Sequence, residues 1–95
     1  MMKEYNNIRS DVLMQALNLI NGDREKDYGT PKQNFNTIAE MWTSYMGHKV
    51  DASDVCNMMV LLKMARLRNG GHIDSSTDAA GYAALAAEMI ESCKE

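Results

Sequence analysis

Residues 55–67 read VCNMMVLLKMARL, and this stretch decides the fold class. Only Asn57, Lys63 and Arg66 are polar in it. At 100° per residue the apolar side chains cover nearly every direction around a helix. Such a helix is expected to be buried on most sides and to lie at the centre of a bundle. Its limits are marked. Asp51 or Ser53 can cap the start, and Asn69-Gly70-Gly71 follows the end.

Downstream, DAAGYAALAAEMIESC, residues 78–93, continues in helical pattern from a start near Asp74 or Ser75. Its alanines and Gly81 let neighbouring helices come close. Upstream, Thr30-Pro31-Lys32-Gln33 forms a helix start: an N-cap, a proline at the first helical position and a glutamine that completes a capping box. The stripe Phe35, Ile38, Ala39, Trp42, Tyr45, Met46 follows, and Gly47 ends it. A first helix over 8–20 carries Val12, Leu13, Ala16, Leu17 and Ile20 at spacings of three and four. Trp42 and the methionines are expected in the core. No segment reads as a strand. The expectation is an all-α, compact four-helix domain over 1–95, with its core in 8–92 and a longer connection at 21–30.

The chain has 95 residues and a net charge of −3, so no global basic field attracts nucleic acid. No apolar run approaches about 18 residues, so no membrane span is expected. The first residues, MMKEYNNIRSDV, are too polar for a secretory signal. Cys56 and Cys93 match no zinc spacing and read as free thiols in a reducing cytoplasm. A small domain with so apolar a central helix and nine methionines is expected to form at least a homodimer.

Several residues can carry chemistry. Asp74 and Asp78 share a helix face one turn apart, with Tyr82 further along it. Two carboxylates there can hold a divalent cation; equally, they can cap and charge-compensate the helix start. Asp54 has the same two readings on the third helix, on a stripe with Asn57, Met58 and Leu61. Lys63 and Arg66 lie opposite Asp54 and either bridge to a neighbouring helix or clamp a phosphate. Arg68 and His72 lie near the turn that follows. In the connection 21–30, Arg24, Lys26 and Tyr28 offer two cations and a ring that stacks on a base or sugar. The alternative is a solvated loop whose charges, Asp23 and Asp27 included, pair with one another.

The blocks GDREKDYGTPKQNF, IAEMW, DVCNMMVLLKMARL and DSSTDAAGYAALAAE, in that order, resemble a family of small, uncharacterised phage and prophage proteins. The resemblance covers residues 21–88 and places the protein in the cytoplasm of a bacterial host. More distantly the chain resembles MazG-like, all-α nucleoside triphosphate pyrophosphohydrolases, oligomers whose facing helices hold Mg²⁺ between carboxylates. That resemblance implies a metal set of Asp54, Asp74 and Asp78, with Asp54 and Asp78 catalytic and Glu40 near them. Arg24, Lys26, Lys63 and Arg66 would hold phosphates, with Tyr28 and Tyr82 on the nucleoside. The EExxE motif of those enzymes is absent, and the last helix has DxxxD instead of ExxD.

Three functions are therefore expected in competition. One is a Mg²⁺-dependent nucleotide hydrolase. Another is a non-enzymatic binder that sequesters a nucleotide signal or inhibits a host defence protein. The third is a structural or assembly protein.

Overall fold

The computed structural model describes residues 5–22 and 29–92. These form four helices: α1 Tyr5–Ile20, α2 Pro31–Met46, α3 Ala52–Arg68 and α4 Ile73–Ser92. Among the described residues there is no strand, so the all-α expectation holds. Cys93 and residues 23–28, with Arg24, Lys26 and Tyr28, lie outside the described residues.

Local chemistry sets the boundaries. The Thr30 hydroxyl accepts from the Gln33 amide at 3.1 Å, and the Gln33 carboxamide accepts from the Thr30 amide at 3.0 Å. This reciprocal box satisfies amides that the first helical turn leaves without partners. Asp51 and Asp54 repeat the device at α3. The Asp51 carboxylate accepts from the Asp54 amide at 2.9 Å, and Asp54 accepts from the Asp51 amide at 3.1 Å. Gly47, with φ 68°, closes α2 in the left-handed conformation. The 47–50 connection is then clamped by Thr43, whose hydroxyl donates to the Val50 carbonyl and accepts from the Val50 amide.

The core sits where α3 and α4 meet the inner face of α2. Phe35, Ala39, Val50, Ala52, Val55, Cys56, Leu85, Ala86 and Met89 form one buried cluster. Helix α3 packs most extensively on α4 and also contacts α2, whereas α1 leans on α4. Gly81 allows that last approach: a Cβ there would lie 3.3 Å from the Ile20 methyl. Burial, reinforced by Glu88, pushes the Cys56 thiol up to about 11.

Two burial expectations are corrected. Helix α3 links α2 to α4 but is neither enclosed nor the most contacted helix, a place that α4 takes. Its Val55–Cys56 side is buried, while Met58, Leu61, Leu62, Met64 and Leu67 are exposed. A helix apolar all round needs neighbours on every side, and one chain supplies them on one side only. For the same reason Met14, Met41 and Met46 are exposed, leaving Met89 as the fully buried methionine among the described residues. Tyr45 is 92% exposed, and Leu13 and Leu17 of α1 also face outward.

Candidate functional site

A cavity of about 620 Å³ opens between α1, the start of α2 and α4. Helix α1 contributes Asn18, Leu19 and Ile20 to its wall, and α2 contributes Pro31, Asn34 and Phe35. From α4 come Thr77, Asp78, Gly81, Tyr82 and Leu85. Thr77 and Gly81, one turn apart, are small enough to leave the space open between larger neighbours. The Tyr82 ring meets Phe35 edge to face, with centroids 6.3 Å apart, which fixes its orientation against the core. Gly22 and Gly29 lie on the cavity wall as well. In sequence they flank residues 23–28, which lie outside the described residues.

Asp78 does not serve the helix start. Its carboxylate reaches across to α3 and takes the Lys63 ammonium at 3.0 Å. The Lys63 side chain is 14% exposed and that of Asp78 35%, so the pair sits in the seam between the helices with Asp78 toward the opening. Burial of an ammonium without a counter-ion is costly, and Asp78 answers that cost for the one cation on the inner face of α3. A second opening of about 500 Å³ adjoins the first and is lined by Gln15, Asn18, Leu19, Asp74, Thr77 and Asp78. Asp74 and Asp78 thus face one space, as their spacing predicts.

The remaining candidates are elsewhere. Asp54 is committed to the α3 capping box, on the face of α3 opposite Lys63. Glu40 and Arg66 are exposed on α2 and α3. Among the described residues, no three His, Cys, Asp or Glu side chains converge where a metal ion could sit. The structure therefore brings together Asp74, Asp78, Lys63 and Tyr82, and keeps Asp54 and Arg66 apart from them. Sequence reasoning missed Asn18, Asn34, Thr77 and Gly81. The signal available was Thr77 and Gly81 on the same stripe as the tyrosine-bearing turn of an alanine-rich helix.

Comparison with known proteins agrees with the phage resemblance. Residues 11–90 match the family model described as Domain of unknown function (DUF6378). The chain is 42% identical over 81 residues to the Gene 55 protein of Mycobacterium phage D29, covering 84% of this chain and 54% of that protein. To the Gene 55 protein of Mycobacterium phage L5 it is 44% identical over 80 residues, covering 82% of this chain and 51% of that protein. It thus spans about half the length of these relatives. No solved structure matches it significantly. With 80 of its 95 residues inside the family model, the chain belongs to the DUF6378 family.

Proposed function

We propose that this protein binds a nucleotide, with the nucleoside in the 620 Å³ cavity and the phosphates held by Arg24 and Lys26. One observation carries the reading: Gly22 and Gly29, the two ends of the segment that bears those cations, both lie on the cavity wall. The volume falls in the range of small-molecule sites, roughly 300–1,000 Å³, and the walls combine apolar side chains with a few polar groups, as such sites do. Tyr82 and Tyr28 offer rings to the base or sugar. Asn34 and Asn18 can bond a base edge, and Asp78 can accept from a ribose hydroxyl. The positive end of the α2 dipole adds a favourable field for an anion. In this reading the protein works in the bacterial host cytoplasm as a phage-encoded binder that withholds a nucleotide signal.

Hydrolysis is the second reading, and the shared opening of Asp74 and Asp78 favours it. Mg²⁺ is commonly held by one or two carboxylates together with substrate phosphates. It would here arrive with the nucleotide and meet those two acids. Asp54 would play no part within the same chain.

A thermal-shift screen of nucleoside triphosphates and cyclic nucleotides, each with and without Mg²⁺, tests both. A ligand at 100 times its Kd adds about 2.7 kcal/mol, which raises the Tm of a domain this small by on the order of 10 °C. A shift that survives EDTA, with no phosphate or pyrophosphate released, supports binding alone. Mg²⁺-dependent release that Asp78→Ala abolishes supports the hydrolase. No shift with any nucleotide contradicts both.

A further inference from the structure

The outward face of α3 has no use in the site above. Taking Leu61 as its centre, Asp54, Asn57, Met58, Met64, Ala65 and Arg68 all fall within about 60° of it at 3.6 residues per turn. All are exposed, and Leu61 and Met64 are 64% and 55% exposed. The buried residues of the helix, Ala52, Val55 and Cys56, point the other way. Apart from Asn57, the middle of this solvent face is therefore apolar, where an ordinary surface helix is polar. Its ends are charged with opposite sign. Asp54 lies seven residues before Leu61 and Arg68 seven residues after it, both within about 20° of the same line.

That arrangement is its own complement. We propose that the outward face of α3 is covered by the same face of a second copy, antiparallel, with the two-fold axis at Leu61. The operation brings residue i against residue 122 − i. Leu61 meets the partner's Leu61, Met58 meets the partner's Met64, and Asp54 meets the partner's Arg68 at both ends. An isologous contact requires this self-complementarity, and a parallel pairing would instead set Asp54 against its like charge. The Asp54 carboxylate uses one oxygen to cap Asp51, which leaves the other for the guanidinium. The contact lies on the face of α3 opposite Lys63 and Asp78, so dimerisation and ligand binding can be lost separately.

Sedimentation equilibrium tests the proposal. The full chain should have nearly twice the chain mass of 10.6 kDa at micromolar concentration. Leu61→Glu sets two carboxylates together at the axis and should raise the dimer dissociation constant at least about tenfold, with helix content by circular dichroism unchanged. Arg68→Glu should weaken the dimer several-fold at low salt, and Asp54→Lys with Arg68→Glu should recover it. A wild-type mass of one chain overturns the proposal, as does a dimer that Leu61→Glu leaves intact or that the charge exchange fails to recover. If Leu61→Glu costs the fold, Leu61→Cys in a Cys93→Ser background decides: an interchain disulfide on oxidation supports the axis, and its absence overturns it.

Discussion

Gly29 suits its position on two counts. Its φ is 80°, a left-handed value that favours glycine, and a Cβ would lie 2.8 Å from the Gln33 carboxamide oxygen. That oxygen closes the α2 capping box. Gly29→Ala should therefore impose backbone strain of about 1 kcal/mol and loosen a cap of similar worth. Urea unfolding should show a loss of roughly 1–3 kcal/mol; an unchanged midpoint would mean the turn relaxes freely. The Thr30-Pro31-Gln33 start was legible in the sequence because its partners lie within four residues. The ion pair of Asp78 was not. Spacing shows which face of α4 it occupies, but only the packing of α3 decides that Lys63 comes to it.

At the level of elements, start and stop signals gave good helix limits, and burial proved harder to read. The Asp51–Asp54 box illustrates the first point and adds a pH dependence. Bonds from the Asp54 amide, then from Ser53, hold the Asp51 carboxyl below its ordinary value of 3.8. A carboxyl lowered in the folded state stabilises fully above that ordinary value, and the contribution is lost as pH falls through the lowered one. Asp51→Asn keeps a capping acceptor and removes the charge. The variant should be less stable than the wild type at pH 7 by under about 1 kcal/mol, the site being exposed. The difference should shrink as pH falls below 3.8 and through the lowered value; a gap independent of pH would assign the effect to cap geometry instead. Helix α3 illustrates the second point. VCNMMVLLKMARL shows that many faces avoid water, but not whether the same chain or another covers them. The structure covers one side with α4 and α2, and Leu61 to Leu67 expose the need for more.

In the whole molecule, α2, α3 and α4 share one buried cluster with Ile20 of α1 packed against it, and a ligand-sized cavity lies beside it at the joint of α1, α2 and α4. The architecture was readable from helix periodicity and caps. The cavity was not, because it depends on what Thr77 and Gly81 leave unfilled between elements distant in sequence. The outward α3 face and the cavity lie on different sides of the α3–α4 seam, which lets an assembly role and a binding role coexist in one small chain. The claim that the cavity is a nucleotide site is tested most directly by amide spectra of ¹⁵N-labelled protein titrated with the four ribonucleoside triphosphates and with cyclic nucleotides, each with and without Mg²⁺. At least one nucleotide should produce saturable shifts at Asn18, Asn34, Gly81 and Tyr82, with Leu61 and Met64 unmoved. Saturation without shifts around the cavity, or no shifts with any nucleotide, would contradict the account.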